Sequence, residues 1–266
     1  MMTKHLQIAR AIADRYSQLP IVEAVAIAGS ITSGYASAGS DVDVYIYPTE
    51  DIPAEVCLSI AREFAEDAAY NDYWGANLAW LDAASGVEVD VMFFSTSWME
   101  DQVRGNVEHH RAKTGYSTSF WHTIKVSQAL FDRSGWLTRM QTLANRPYPP
   151  ELAHAIVSLN YPLLREIRFS YRAQIAKALK RSDQVLVMAK TNDLLVSYFD
   201  ILFALNHLPH PGEKRMLTTL EDKASLLPIN MRQDVTYLVE RAAAISEDTL
   251  PAVDTLVDHL TDLLKD

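Results

Sequence analysis

The first half of the chain is organised around one stretch, Gly29-Ser30-Ile31-Thr32-Ser33-Gly34-Tyr35-Ala36-Ser37-Ala38-Gly39-Ser40-Asp41-Val42-Asp43-Val44. It joins a β-rich run at 22–28 to a second run at 41–47 through a loop of small residues. Because strand side chains alternate between faces, Asp41 and Asp43 project on one face and the valines point into a core. Two carboxylates about 7 Å apart along a strand repel each other unless a cation lies between them.

A third carboxylate follows in the β-rich run Val87-Glu88-Val89-Asp90-Val91-Met92-Phe93-Phe94. A carboxylate inside such a strand has a high desolvation cost unless it is paired or bound to a metal, which points to Asp90. Glu88 shares its face, and a place near the metal or on an exposed surface is equally compatible with the pattern. Mg²⁺ takes oxygen ligands and commonly shares them with phosphates. The Gly29-Ser30 backbone can approach a phosphate closely, because glycine removes the side-chain obstacle.

Composition limits the classes of function. The chain has 266 residues, 48% of them hydrophobic and 22% charged, with a formal net charge of −10. That acidic balance disfavours general binding of nucleic acid, whose phosphates are neutralised by Lys and Arg. The single cysteine, Cys57, allows no internal disulfide and favours a cytoplasmic location. The most apolar stretch, 185–205, carries Lys190, Asp193 and Asp200, which argues for a buried helix and against a membrane span.

The two halves of the chain differ in glycine content. Eight of the nine glycines lie at or before Gly135, so we expect a mixed α/β domain at 1–146 and a helical domain at 151–266, separated by the proline-rich segment 146–150. Predicted strands cover 22–28, 41–47, 77–81, 87–94 and 124–131. Predicted helices cover 4–18, 54–70, 98–109, 135–145, 151–181, 184–206, 213–226, 229–245 and 248–265.

The combination of Gly29-Ser30, Ser40-Asp41-Val42-Asp43 and the later Asp90 resembles the nucleotidyltransferase signature of the DNA polymerase beta superfamily. It looks most like the bacterial branch that includes aminoglycoside and lincosamide nucleotidyltransferases, which append a helical C-terminal domain. The segments 115–122, 194–200 and 210–215 resemble a largely uncharacterised bacterial family within that branch.

The resemblance implies a nucleotidyltransferase α/β domain with a small mixed sheet, followed by an all-α helical bundle. It implies an enzyme that moves a nucleoside monophosphate, with ATP the expected donor, to a hydroxyl of a small-molecule acceptor and releases pyrophosphate. Asp41 and Asp43 would hold two Mg²⁺ ions, with Asp90 on the ion nearer the acceptor. Gly29, Ser30 and Ser40 would bind the nucleotide, the two serines contacting its β- and γ-phosphates.

Polar residues in the second half supply further candidates. Lys190, Asp193, Ser197 and Asp200 form one stripe on the helix predicted at 184–206. Two interpretations of the stripe are equally compatible with the pattern: a partly solvated helix face, or an acceptor-binding surface between the domains. On the second interpretation, we expect Asp193, Ser197 and Asp200 to bind the acceptor. Lys214 and Arg215 could be surface charges or could contact the donor phosphates. Cations at the start of a helix are unfavourable because they oppose the helix dipole, which favours a functional reason for them. We therefore expect Lys214 and Arg215 to bind the nucleotide.

An arginine row on another predicted helix, formed by Arg165, Arg168 and Arg172, fits a solvated face better than a triphosphate clamp. Two other functions stay open, a nucleotidyltransferase of the protein-modifying or toxin–antitoxin type and a non-catalytic nucleotide-binding module. Retention of three carboxylates disfavours the second. The expected partners are an NTP and a small acceptor, with no membrane or nucleic acid, and a protein partner stays possible.

Overall fold

The computed structural model describes residues 2–33, 40–73 and 75–265. The chain forms two compact units, one of Met1–Arg104 with Phe120–Arg146 and one of Gly105–Ser119 with Pro147–Asp266. The first unit is a mixed α/β unit and the second is helical. The sequence prediction kept the segment 105–119 in the N-terminal domain, whereas it groups here with the helical unit.

The helices and strands of the first part of the chain are, in order, α1 (Met2–Tyr16), β1 (Val22–Ile27), α2 (Ser30–Ser33), β2 (Val42–Pro48), α3 (Ala54–Ala61), β3 (Ala69–Asn71), β4 (Asn77–Leu81), β5 (Glu88–Phe93), α4 (Thr96–Val107), α5 (Ser119–Val126), β6 (Gln128–Asp132) and α6 (Trp136–Ala144). Within the described residues, the strands form one six-stranded sheet in the order β3-β4-β5-β2-β1-β6. The β2–β5 pair is parallel, and the other neighbouring pairs are antiparallel.

One face of this sheet is the hydrophobic core of the first unit. Val42, Val44 and Ile46 of β2 are fully buried there together with Val89 and Val91 of β5. α1 and α3 cover them with a set of apolar side chains that includes Ala9, Ile12, Tyr16, Cys57 and Ile60. The alternation of apolar and polar residues therefore places the aspartates of β2 and β5 on the opposite face.

The helical unit contains α7 (Pro150–Arg165), α8 (Tyr171–Leu179), α9 (Gln184–Leu205), α10 (Met216–Lys223), α11 (Met231–Ala243) and α12 (Thr249–Leu263). α9 lies at its centre and packs against α7, α8, α10 and α11. Leu194, Tyr198, Ile201 and Leu202 are fully buried along this helix. Such all-round burial explains why its sequence is apolar on most faces.

Three predicted elements are wrong in extent. The helix predicted at 54–70 ends at Ala61, and residues 69–71 instead pair with β4 as a strand. The strand predicted at 124–131 is the end of α5 followed by β6. The helix predicted at 151–181 is two helices, and the Ser170 hydroxyl begins the second by accepting a hydrogen bond from the Ala173 N–H.

Candidate functional site

Two aspartates lie side by side in the centre of the sheet. Asp43 of β2 and Asp90 of β5 are register partners in the parallel pair. Register partners on neighbouring strands point to the same face, and neighbouring strands lie about 4.8 Å apart. Both residues are half-buried, while the valines that flank them point into the core. The sheet therefore brings together two of the three carboxylates that the sequence singled out.

Asp41 lies just before β2 and is half-buried. Across the residues that the structure describes, no group of three or more His, Cys, Asp and Glu side chains is arranged to hold a metal ion. Of the three carboxylates expected at the metal site, the register of the sheet brings Asp43 and Asp90 together. The role of Asp41 as a third ligand stays a prediction.

Gly29 lies against the carboxylate of Asp43. A Cβ atom built on Gly29 would lie 1.8 Å from Asp43 Oδ2, and the residue has a φ of +71°. The preceding Ala28 N–H donates a hydrogen bond of 3.1 Å to the backbone carbonyl of Asp43. Only glycine fits this position, because any side chain would both strain the backbone and displace the carboxylate. The carboxylate of Asp43 therefore lies directly against the backbone that follows β1.

The two serines of the expected phosphate site, Ser30 and Ser40, stand on either side of the loop at 34–39 in the sequence. Ser30 begins α2, but its side chain and the loop at 34–39 lie outside the described residues. Ser40 is half-buried, and its backbone carbonyl lies 3.0 Å from Nε2 of His5, a buried residue of α1. His5 thus fixes the chain one residue before Asp41. The sequence analysis did not single out His5.

Aromatic side chains cover the same face of the sheet one step along β2. Tyr45 stacks on Phe94 with ring centroids 6.1 Å apart, and Phe94 stacks on Trp98 at 5.3 Å. Phe120 packs edge-on against Trp98 at 4.7 Å. Burial raises the pKa of Tyr45, and the charges of Asp43 and Asp90 raise it further. The phenol therefore stays protonated close to the two carboxylates.

Two asparagines on the same face were also missed by the sequence analysis. Asn71 and Asn77 are register partners of β3 and β4, and Asn77 is in turn paired with Met92, two residues from Asp90. Their side-chain oxygens are buried, and neither has a hydrogen-bond partner within the described ranges. A buried carbonyl oxygen without a donor is rare in folded proteins. The alternation of apolar and polar residues within 77–81 was a signal for Asn77. Glu88 of the same sheet is exposed.

Asp200 lies in a buried polar cluster of the helical unit. Its Oδ1 accepts a hydrogen bond of 2.9 Å from the Ser117 N–H, and its Oδ2 accepts one of 2.7 Å from the Ser117 hydroxyl. Asn160 Nδ2 lies 3.5 Å from the same Oδ2 and donates to the Lys113 carbonyl at 3.1 Å. Burial raises the pKa of Asp200 to about 6, against the opposing effects of the Ser117 hydrogen bonds and the Lys113 charge.

The other residues of the predicted acceptor stripe have varied surroundings. Asp193 pairs with Lys190 at 2.7 Å, and Ser197 is fully buried with no hydrogen-bond partner for its hydroxyl among the described residues. Lys214 and Arg215 are exposed at the start of α10, where Arg215 has a φ of +60°. Acceptor binding stays a prediction for Asp193, Ser197 and Asp200. Nucleotide binding stays a prediction for Lys214 and Arg215.

The arginine row of the helical unit is engaged within that unit. Arg172 makes a two-pronged pair with Asp254, from Nε to Oδ1 and from Nη2 to Oδ2, both at 2.6 Å. Arg165 Nη2 donates to Asp258 Oδ1 at 2.5 Å. Two of the three arginines therefore have carboxylate partners, which supports the structural interpretation over a triphosphate clamp.

No family model matches the chain, and the search of curated proteins found no relative. Among solved structures, it is similar to a nucleotidyltransferase-like protein from Exiguobacterium sibiricum, with a TM-score of 0.46 and 11% identity over 97% of this chain and 74% of that one. It is also similar to the Thermotoga maritima CCA-adding enzyme, solved in complex with tRNA, with a TM-score of 0.32 and 10% identity over 98% and 82% of the two chains. At these TM-scores neither likeness establishes the activity of this chain. No helix within the described ranges is long and apolar enough to cross a membrane.

Proposed function

We propose that this protein is a metal-dependent nucleotidyltransferase that transfers a nucleoside monophosphate, AMP from ATP, to a hydroxyl of a small-molecule acceptor. The observation that carries the proposal is the register pairing of Asp43 with Asp90 in parallel strands, beside the bare backbone of Gly29. The sequence signature that joins these residues supports the same reaction.

The donor set suits Mg²⁺. Two carboxylates on adjacent strands repel each other unless a cation or a proton lies between them. Mg²⁺ accepts oxygen ligands of this kind and retains sites for phosphate oxygens and water. The carboxylate of Asp43 occupies the space that a Gly29 side chain would fill, so the glycine lets this ligand lie against the end of β1. Asp43 and Asp90, joined by Asp41, would hold the ions, which when bound supply neutralisation of the phosphate charge.

The chain's own residues position the reactants. The absence of a side chain at Gly29 lets the Asp43 carboxylate lie against the end of β1, where the phosphates would bind, and Asp90 lies on the far side of Asp43 from β1. The acceptor oxygen forms a bond to the α-phosphorus while the bond from that phosphorus to the bridging oxygen breaks. Pyrophosphate leaves with the electron pair, and the hydroxyl proton passes to the Asp90 carboxylate and then to water. Such a reaction depends mainly on alignment and charge neutralisation.

The experiment is a transfer assay with α-labelled NTPs, Mg²⁺ and pools of hydroxyl-bearing small molecules. We expect label in an acceptor and release of pyrophosphate by the wild type, and loss of at least about a hundredfold in Asp43→Asn and Asp90→Asn, because each removes a charge that offsets the phosphates. Asp51→Asn, an exposed carboxylate outside the site, is the matched control. Absence of transfer from every NTP, or full activity in Asp43→Asn, would contradict the proposal. Label on a protein instead would favour the protein-modifying alternative.

A further inference from the structure

The helical unit carries a basic surface that takes no part in the proposed reaction. Between residues 167 and 182 the chain has five Lys and Arg residues and no Asp or Glu, although its formal net charge is −10. This segment covers the turn after α7, the whole of α8 and the turn that follows α8. Arg172 is paired with Asp254 of α12. The other four cations are exposed, and no carboxylate of the described residues forms an ion pair with them: Arg168, Lys177, Lys180 and Arg181.

An aromatic ring lies among these cations, in the turn between α7 and α8. Phe169 is 65% exposed, and its ring centroid lies 5.6 Å from the guanidinium carbon of Arg168 and 5.5 Å from Nζ of Lys177. The Gln174 side chain donates a hydrogen bond of 2.8 Å to the Phe169 carbonyl, and the Ser170 hydroxyl caps α8. The backbone of the turn is therefore held in place. A partner that binds here does not have to order a loose loop.

We call Phe169 and the four cations the α8 surface. Exposed cations around an exposed ring fit a partner that presents negative charges around an apolar group. Single exposed ion pairs are worth at most about 1 kcal/mol each, but several of them together steer association and fix the register of a partner. Phe169, with the exposed side chain of Ile167 beside it in the chain, supplies the apolar contact.

The α8 surface is narrow. From Phe169 to Arg181 it extends about 18 Å, at the rise of a helix. Carboxylates bound it on the side of α12, where Asp254 pairs with Arg172 and Asp258 has a side chain that is 60% exposed. A broad polyanion, such as a phospholipid bilayer or a nucleic-acid duplex, would bring its phosphates against these carboxylates. An extended peptide of about five or six residues has the length of the surface and does not need to reach α12.

A single nucleic-acid strand is also narrow, but the ring is poorly arranged for it. Nucleobases stack on the face of an exposed aromatic side chain. Arg168 and Lys177 lie over the Phe169 ring and cover a face on which a base would stack. An aliphatic side chain can pack against the exposed edge of the ring without displacing the cations. The contacts therefore favour a peptide over a nucleic-acid strand.

We propose that the α8 surface binds an acidic segment of a partner protein, whose carboxylates contact the four cations and whose large apolar side chain packs on Phe169. The interaction involves the helical unit alone. It does not depend on the proposed reaction, because the α8 surface contains none of the residues assigned to the metal, the nucleotide or the acceptor.

Binding of defined probes to the full chain tests the surface. The first probe is a labelled peptide of about eight Glu and Asp residues around one central Leu, and the second has Gln and Asn in place of the acids. A uridine strand of the same length and vesicles of phosphatidylserine and phosphatidylcholine are the other probes. We expect the acidic peptide to bind at low salt, the neutral peptide to bind at least about tenfold more weakly, and the affinity for the acidic peptide to fall as salt is added.

Charge reversal on the surface should weaken binding of the acidic peptide. Lys177→Glu combined with Lys180→Glu should reduce the affinity at least about tenfold, because two attractions become repulsions. Lys4→Glu combined with Lys125→Glu is the matched control, since it changes the net charge by the same amount at exposed positions of the α/β unit. The control should stay within about twofold of the wild type, because charges farther away than the Debye length are screened.

Removal of the ring should weaken binding without loss of the fold. Phe169→Ala should reduce the affinity for the acidic peptide about fivefold, as expected for an exposed aromatic anchor. Tyr237→Ala is the matched control, because Tyr237 is an exposed aromatic residue of α11 with the guanidinium carbon of Arg241 5.2 Å from its ring centroid. Both variants should keep the melting temperature of the wild type to within a few degrees and its affinity for ATP with Mg²⁺.

Three results would overturn the proposal. The first is equal binding, or no binding, of the acidic and the neutral peptide. The second is an equal loss of affinity in the two charge-reversed variants. The third is tighter binding of the uridine strand or of the vesicles than of the acidic peptide, with the same dependence on Lys177 and Lys180, which would make the α8 surface a nucleic-acid or membrane contact.

Discussion

The carboxylate of Asp43 fills the space that a side chain on Gly29 would need, since a Cβ atom there would lie 1.8 Å from Oδ2. Asp43 belongs to β2 and Gly29 follows the end of the antiparallel strand β1, and the hydrogen bond from the Ala28 N–H to the Asp43 carbonyl holds the two segments together. The close approach couples the end of β1 to the aspartate pair. A change at Gly29 therefore acts on the proposed chemistry as well as on the backbone.

Gly29→Ala should abolish transfer and destabilise the fold. Alanine strains a backbone at φ +71° by about 1 kcal/mol and must also push Asp43 away. Gly86→Ala is the matched control, because Gly86 has a φ of +66° but no atom within 4 Å of the added Cβ. Thermal melting and NTP turnover of both variants separate strain from displacement. Equal activity in the two variants would show that Gly29 has no role beside Asp43.

Nucleotide affinity should depend on a divalent cation. Asp43 and Asp90 together repel a triphosphate, so we expect ATP to bind at least about tenfold more tightly with Mg²⁺ or Mn²⁺ than with EDTA. Calorimetry measures this difference directly. Asp43→Asn should reduce the difference in ATP affinity between the two conditions, because the variant lacks one of the two negative charges that would bind the ion. The same affinity in both conditions would count against a metal site at this pair.

The sequence predicted most of the elements around this site but not the pairing of β2 with β5. Alternation of apolar and polar residues located β2, β4 and β5 within one or two residues, because each strand buries only one face. The register that sets Asp43 beside Asp90 joins strands more than forty residues apart in the chain, so no local pattern contains it. The same reason hides the pairing of Asn71 with Asn77 and the reach of His5 to Ser40.

Where the predicted elements were wrong, tertiary structure overrode local preference. Residues after Ala61 have helical composition, yet 69–71 form the edge strand that extends the sheet beside β4. The break between α7 and α8 had a local signal in Ser170, a residue type that favours the first position of a helix. The role of Asp200 in acceptor binding stays a prediction, and its hydrogen bonds to Ser117 could not be predicted locally because the two residues are more than eighty positions apart.

The arginine row of the helical unit should contribute little to nucleotide binding. Arg172→Gln removes a pair with Asp254 in which both side chains are about a third exposed, so the loss of stability should be below about 1 kcal/mol. The affinity for ATP with Mg²⁺ should not change, since the guanidinium is already engaged by a carboxylate. Arg168→Gln is the comparison, because no carboxylate of the described residues forms an ion pair with Arg168. A tenfold loss of ATP affinity in Arg172→Gln would revive the triphosphate clamp.

Asp200 should make the stability of the protein fall as the pH rises from about 4 to about 6. Its pKa is about 6 in the folded protein against 3.8 for an unperturbed aspartate, so in this window the folded state binds the proton more tightly than the unfolded state. The free energy of unfolding therefore falls as the pH rises, by about 3 kcal/mol over the whole window from this group alone. The facing groups are the Lys113 ammonium, whose pKa burial lowers, and the Tyr148 phenol, whose pKa burial raises. The Lys113 charge lowers the pKa of Asp200, but by less than burial raises it.

Asp200→Asn should flatten this pH dependence, because asparagine keeps an oxygen for the Ser117 N–H and does not ionise. Asp200→Ala should instead lower stability at every pH, since it leaves the Ser117 N–H and hydroxyl without their acceptor. Melting temperatures of the three proteins between pH 4 and pH 7 test both expectations. If the wild type and Asp200→Asn show the same slope in this range, the raised pKa is wrong. If Asp200→Asn instead keeps its stability and its affinity for ATP but loses transfer, the carboxylate serves the acceptor as first predicted, and the cluster with Ser117 is its support.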